Sequence, residues 1–381
     1  MSAGGLEVAE VFRRFADDFL RDCGEALSPE QRRAVSDILG CMTAAMGGRR
    51  YRCGDCGESF WHYHGCRNRS CPRCHGRQTL EWIRKRSVEL LPGDYFHAVT
   101  TIPAELRGTF LAEQEYMYGL LMKVSAGALC ELAADRRYLG AVPAIMSVLH
   151  TWTGRMLHHP HVHMLVSGAG ATADGSSWRK VRSNFLVPVK KLSPLVARRF
   201  REALEKERPE LLARIPPQVW QREWCSFCRP LGQNSQAVMR YLGRYVYRVA
   251  ITRSRILAMD DAHVTFRYKD SDTRQWQTCR IPGVEFVRRF LLHVLPKGFH
   301  KVRYFGLWHS SRRGLLGRLR VELQLSAMPG LKTVVETMAA LAAEALAGAD
   351  SPAFAPQCPR CASRNVRLVE ELRRGARPEA A

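Results

Sequence analysis

The sequence has no run of roughly 20 apolar residues, the length that spans a bilayer. Its longest apolar stretch, Ala141 to Leu149, contains a proline, so no membrane partner is expected. The first residues, MSAGGLEVAEVFRRF, lack the apolar centre of a secretory signal, and a cytoplasmic protein is expected. No Gly-Lys dipeptide occurs, which excludes a P-loop and the ATP chemistry that goes with it. Acidic residues are scarce: 36 Asp and Glu face 58 Lys and Arg, and the net charge of +22 calls for a polyanionic partner. What remains is ordinary for a globular protein. With 381 residues, 46% of them hydrophobic, there is enough chain for more than one packed unit.

Cysteine is abundant. Thirteen is an odd number, and without an export signal metal binding is a better account than a disulfide framework. Cys53, Cys56, Cys66, Cys71 and Cys74 fall in one short segment, YRCGDCGESFWHYHGCRNRSCPRC. Its two C-x-x-C pairs are predicted to close one tetrahedral zinc site through Cys53, Cys56, Cys71 and Cys74. Cys66, His62 and His64 are substitutes for one of the four. The segment is rich in Gly, Arg, Asn and Ser, so zinc would supply folding energy that burial cannot. Cys358 and Cys361 make a third C-x-x-C with no neighbouring pair. It is half of a second site, completed by Cys225 and Cys228 or by another chain, or else an exposed tail. Packing is the preferred reading for Cys225 and Cys228, and Cys23, Cys41, Cys130 and Cys279 read as core or helix-face residues.

Along the chain the expected units are a helical arm over 1–50, a zinc-binding domain over 51–92, a core over 93–325, a helix over 326–350 and a tail over 351–381. Ser28-Pro29-Glu30-Gln31 reads as a helix start, with a capping serine and proline at the first helical position. A strand ending at Pro103, a helix over 107–136 and strands at 142–150, 161–167 and 184–189 follow. Ser193-Pro194 opens a charged helix to about 214. A strand at 219–228 then leads into a helix over 235–248. HVTFRYKD and RQWQTCRIP form a hairpin, followed by the amphipathic helix VEFVRRFLLHVL. Hairpin-length links beside helices favour an α+β fold with an antiparallel sheet, and the chain beyond Cys361 is expected to be mobile.

Two constellations carry chemistry. In LHHPHVHMLVSG, alternate residues of a strand share a face, so His161 and His163 point together while Val162 turns into the core. Two imidazoles on a rigid strand can grip one divalent ion. His159 joins them if the strand begins before Pro160, and His97 and Gln236 are further candidates for a third ligand. An isolated H-x-H is more often packing than ligation, but four histidines in six residues shift the balance. In AVMRYLGRYVYRVAI, Tyr241 and Tyr245 lie on one helix face, beside a stripe of Arg240, Arg244 and Arg248.

From the zinc segment through HPHVHMLVSGAG, YLGRYVYRVAI and EFVRRFLLHVLPKGFHKVRYFGL, the chain resembles the transposases of the insertion-sequence ninety-one family, HUH-type rolling-circle enzymes. CRNRSCPRC and LLPGDYFHAVTTIP are specific within that resemblance. It implies an N-terminal zinc-binding domain and an antiparallel-sheet HUH nuclease core. His161 and His163 would hold catalytic Mg²⁺ or Mn²⁺, Tyr241 and Tyr245 would be the nucleophiles, and Arg240, Arg244 and Arg248 would hold phosphate. The substrate implied is single-stranded DNA at element ends and target, nicked and joined through a 5′-phosphotyrosine in a bacterial cytoplasm, close to the nucleoid. The basic residues Arg67, Arg69, Arg73 and Arg77 on the knuckles, with Arg303, Arg312, Arg313, Arg318 and Arg320, would line a path for the strand. A replication initiator or relaxase would use the same chemistry. A zinc-dependent DNA-binding regulator without nuclease activity is the alternative of a different class.

Overall fold

The computed structural model describes residues 6–74, 82, 90–91, 93–222, 224–232, 238, 249–270, 272–322 and 356–375. It is a mixed α and β protein whose described sheets are all antiparallel. Helices α1 (Val8–Cys23) and α2 (Pro29–Gly40) come first. The capping box expected at Ser28 forms, with the Ser28 side chain accepting from the Gln31 amide and Gln31 returning the bond. Strands β1 (Gly48–Cys53) and β2 (Ser59–Tyr63) follow.

The central sheet uses β3 (Tyr95–Thr101), β4 (Val142–Trp152), β5 (His158–Ala171), β7 (Cys225–Gly232) and β11 (Val302–Gly306) in the order β11-β4-β5-β3-β7, with β6 (Trp178–Lys180) on β5. Alternation sorts its residues. Phe96, Ala98, Ile145, Leu149, Val162, Met164 and Val166 face a large core shared with α4 (Gln114–Ala134) and α5 (Val189–Glu207). By length and composition α4 could cross a membrane, a feature that counting uninterrupted apolar runs passes over. However, 61% of its apolar window is buried inside the protein, as befits a helix that is core on most sides. A short helix, α3 (Arg107–Ala112), precedes it, and the chain breaks at Glu113 instead of forming one helix over 107–136.

Other boundaries also move. Helix α5 begins at Val189, so Pro194 lies inside it. Burial of Leu192, Leu195, Val196, Phe200 and Leu204 along one stripe outweighs the backbone bond that proline forfeits. The strand expected at 184–189 is absent, and Leu186 and Val187 enter the core without pairing. Two short helices, α6 (Pro209–Leu212) and α7 (Gln218–Gln221), occupy the run up to β7, which starts only at Cys225.

A second core joins α1 and α2 to the sheet β8 (Ile256–Met259), β9 (His263–Lys269), β10 (Trp276–Pro282) and to α8 (Gly283–Leu291). The hairpin β9–β10 forms as expected. Val8, Val11, Phe12, Phe15 and Phe19 make the buried stripe of α1, and Phe12 meets Phe290 edge-on at 5.2 Å. Gly283 is required there, because a Cβ would stand 2.3 Å from the Phe15 ring. Helix α9 (Arg313–Glu322) follows the central sheet. The last described element, β12 (Val366–Leu372), pairs with β1 to give the sheet β12-β1-β2. Within the chain after Cys361, expected to be mobile, residues 366–372 are therefore a strand held through the Gly48↔Leu372 to Cys53↔Val366 register.

Candidate metal centres

The face of the central sheet opposite α4 and α5 carries the histidines. Register places His150 of β4 directly beside His161 of β5, with His163 beside Val148 on one side and Val99 on the other. The ring nitrogens of His150, His161 and His163 lie within 4.8 Å of one another. Behind them, His97 Nε2 and His163 Nδ1 are 2.9 Å apart, and His161 Nδ1 donates to the His159 carbonyl at 2.8 Å. Such partners fix ring orientation and leave Nε2 as the remaining ligand atom. Desolvation holds His161 below the ordinary imidazole value and takes His97 down to about 3, so both are neutral near pH 7, the form that can ligate. Val238 packs on this face with Tyr95, Met146, Val148 and Leu165.

The candidate third ligands resolve differently. His159 is outside the cluster: its Nδ1 accepts from Arg107 Nε at 2.9 Å, and its ring centroid is 6.3 Å from that of His161. Burial, and then Arg107, lowers it to about 4. The strand does begin before Pro160, at His158, but the β4–β5 register shifts between His150 and Trp152 and Arg107 binds the His159 ring, so His159 stays apart from His161. His97 stands behind His163 as a support. Gln236, Tyr241, Tyr245, Arg240, Arg244 and Arg248 lie outside the described residues. His150 was not singled out in the sequence, and the only signal for it is cross-strand: it extends the Met146, Val148 alternation of β4 toward the H-x-H.

The cysteines regroup. Cys53, Cys56, Cys71 and Cys74 do not share one site. Cys71 and Cys74 join Cys66 and Cys41, while Cys53 and Cys56 join Cys358 and Cys361, each set with its sulfurs within 4.8 Å. Four sulfurs about 2.3 Å from a tetrahedral zinc are about 3.8 Å apart. In the first set Cys41–Cys74 is 3.6 Å, Cys66–Cys74 3.7 Å and Cys71–Cys41 3.7 Å. The Arg67 and Asn68 amides donate to the sulfurs of Cys74 and Cys66 at 3.3 and 3.4 Å. Thiols packed this closely polarise one another. Hydrogen bonds from Cys66, Cys71 and Cys74 hold Cys41 far below the usual thiol range, while Cys66 and Cys71 are pushed above it, chiefly by Cys41. A divalent cation would remove that conflict. Cys41, read from sequence as core, takes the fourth place because the chain turns out of α2 just before it. His62 and His64 are not members. Cys225 and Cys228 lie on β7, away from both sets.

Not every basic residue is free for a strand. Arg69 donates to the carbonyls of Phe299, Leu295 and Pro296, each at 2.6 Å, and so ties the knuckle to the second half of the chain. Arg303 lies over the Phe299 ring at 4.8 Å. Arg67, Arg313 and Arg318 are exposed, while Arg77 and the Arg320 side chain are outside the described set.

Residues 144–314 match the family described as "Putative transposase", and residues 11–102 match the "Transposase zinc-binding domain". The protein named "Putative transposase y4qJ" of Sinorhizobium fredii is 39% identical over 326 residues, covering 80% of this chain and 81% of that one. The "Transposase for insertion sequence element IS801" of Pseudomonas savastanoi pv. phaseolicola is 27% identical over 290 residues, 71% and 68% of the two chains. No solved structure matches. A sheet with a histidine cluster, joined to thiol shells, is here the framework of a DNA transposase. The chain belongs to the insertion-sequence ninety-one family of transposases, whose zinc-binding domain it carries.

Proposed function

We propose that this transposase nicks and joins single-stranded DNA at the ends of an insertion sequence through a 5′-phosphotyrosine, the rolling-circle scheme, on an HUH core. The observation that carries this reading is the convergence of His150, His161 and His163 on one sheet face, the face where Val238 packs, three residues ahead of Tyr241 in the sequence. Three imidazoles would leave coordination positions and the full positive charge of a divalent ion open to phosphate and water, and of Mg²⁺ and Mn²⁺ the nitrogen donors suit Mn²⁺ better than the harder Mg²⁺. Bound there, such an ion supplies Lewis-acid polarisation of a phosphate oxygen.

The protein's own groups do the rest. His97 and the His159 carbonyl hold the His163 and His161 rings. The phenol oxygen of Tyr241 or Tyr245 attacks phosphorus in line, losing its proton to water, and the 3′ oxygen leaves as a free hydroxyl. The phosphodiester energy stays in the new phosphotyrosine bond, so rejoining needs no ATP. The second tyrosine serves the other end of the element, and Arg240, Arg244 and Arg248 hold phosphates beside them. The protein works in the bacterial cytoplasm at the nucleoid.

The test is a denaturing gel after incubation with single-stranded oligonucleotides from the element ends and Mg²⁺ or Mn²⁺. A covalent adduct is expected for the wild type and none for Tyr241→Phe with Tyr245→Phe. Binding without an adduct would favour the regulator reading, and an adduct in the double variant would move the nucleophile elsewhere.

A further inference from the structure

We propose that Cys53, Cys56, Cys358 and Cys361 form a second structural Zn²⁺ site, of zinc-ribbon type, that makes the C-terminal strand part of the N-terminal module. The sulfurs are arranged for it. Cys53–Cys361 is 3.6 Å and Cys56–Cys358 3.5 Å, with all four within 4.8 Å. These are close to the roughly 3.8 Å edge of a zinc–thiolate tetrahedron and far from the roughly 2 Å of a disulfide.

The two C-x-x-C halves are also the same turn built twice. The Cys53 amide donates to the Glu58 carbonyl at 2.8 Å, and the Gly57 amide returns to the Cys53 carbonyl at 3.1 Å. In the other half the Cys358 amide donates to the Ser363 carbonyl at 2.8 Å, and the Ala362 amide returns to the Cys358 carbonyl at 2.9 Å. The equivalent fourth positions after each first cysteine, Gly57 and Ala362, both have positive φ, 76° and 59°. An alanine held there is strained, and a metal that fixes the knuckle accounts for what holds it. The halves face each other across further bonds. Gly54 N donates to the Asn365 carbonyl at 2.8 Å, and Asp55 accepts from Ser363 Oγ and Asn365 Nδ2 at 2.5 and 2.7 Å.

Burial of Cys53 and Cys358, each 2% exposed, does not by itself account for this arrangement. Cys361 is exposed and Cys56 half-buried, and on the β12-β1-β2 sheet Leu368 and Val369 face solvent at 49% and 55% exposure. A unit this small without an apolar centre is where metal coordination supplies folding energy, each ligand thiol giving its proton to solvent as the ion binds. Four thiolates in a closed tetrahedral shell suit zinc. In consequence, the chain between β2 and β12 is closed into one loop, and the N-terminal module is complete only with the C-terminal residues.

The experiment is metal content per chain of the full-length protein, measured by elemental mass spectrometry, and it is independent of any nuclease assay. The wild type should hold two zinc ions. Cys358→Ser with Cys361→Ser should hold one, while Cys225→Ser with Cys228→Ser keeps two. To separate loss of a site from misfolding, the C-terminal double variant is refolded with cobalt, and its thiolate charge-transfer band should fall to half the wild-type intensity with the rest of the spectrum intact. A wild type with one zinc, iron in place of zinc, or a C-terminal double variant that keeps two overturns the proposal.

Discussion

The histidine cluster and the cysteine shells are both ligand sets, but one has three members and the others four. His150, His161 and His163 come from two neighbouring strands of a sheet held by its own backbone pairing and by the core on its other face. Three ligands leave open positions, which is what a site that handles substrate needs. Cys41, Cys66, Cys71 and Cys74 close their shell at the edge of the second hydrophobic core, which Cys41, Cys66 and Cys71 enter, and four ligands leave nothing open. The metal in the sheet would be a reagent; the metals in the shells would be part of the fold.

The largest test of that contrast is Cys71→Ser. Structural zinc in finger peptides is worth roughly 10–16 kcal/mol, comparable to the whole stability of a typical domain, about 5–15 kcal/mol. Hydrogen exchange should show protection lost over residues 41–74 while β3, β4 and β5 keep theirs. Unchanged protection over 41–74 would mean that the shell is not a folding element.

The converse substitution is His150→Ala. Zinc content and melting should hardly change, because a three-ligand site on a preformed sheet does not fold it. Adduct formation should fall by about two orders of magnitude, the loss of about 3 kcal/mol of the several kcal/mol a polarising ion supplies. His97→Ala, which removes only the support behind His163, should cost about 10- to 100-fold. If His150→Ala cleaves like the wild type, the third ligand lies elsewhere. A lost zinc ion in that variant would erase the contrast between the two kinds of site.

These two kinds of site were unequally legible in the sequence. His161 and His163 sit two residues apart on one strand, so period-two alternation alone put them together with Val162 turned inward. His150 is eleven residues away, and only the β4–β5 register brings it in. The C-x-x-C spacing announced zinc but not which pairs meet, since Cys53 finds Cys361 across 308 positions and no local periodicity encodes that. Pro194 shows a related limit: a proline reads locally as a helix start, whereas the buried stripe from Leu192 to Leu204 sets the helix. Local chemistry was readable; pairing that depends on the tertiary fold was not.

A smaller effect separates the histidines by pH. His293 is buried against Thr151 and the Met156 carbonyl, and desolvation takes it down to about 3. His158, bonded to Tyr118, is lowered to about 4 by burial and then Arg107. A depressed histidine binds fewer protons folded than unfolded, so stability is intact above pH 6.5 and falls as the pH drops below it toward the folded values. At pH 5 each should cost about 2 kcal/mol. In urea titrations His293→Gln should be less stable at pH 8 yet show a shallower decline between pH 6.5 and 5. An undiminished slope would assign the acid sensitivity to other groups.

The smallest effect tests whether the two cysteine shells are independent. Asp37 on α2 is only 4% exposed. It accepts from Asn68 Nδ2 at 3.0 Å, two residues past Cys66 of the first shell, and from Arg374 at 2.8 Å, two residues past the end of β12. Arg33 adds a longer contact at 3.5 Å. The carboxylate thus links the knuckle of one shell to the strand of the other. Asp37→Asn retains an acceptor for Asn68 but withdraws the charge that holds Arg374, at a cost of about 1–2 kcal/mol, with both zinc ions kept. Arg374→Ala should cost less, because its side chain is largely exposed and its partner keeps Asn68. In a double-mutant cycle the two substitutions should couple, and strict additivity would mean that Asp37 serves the first shell alone.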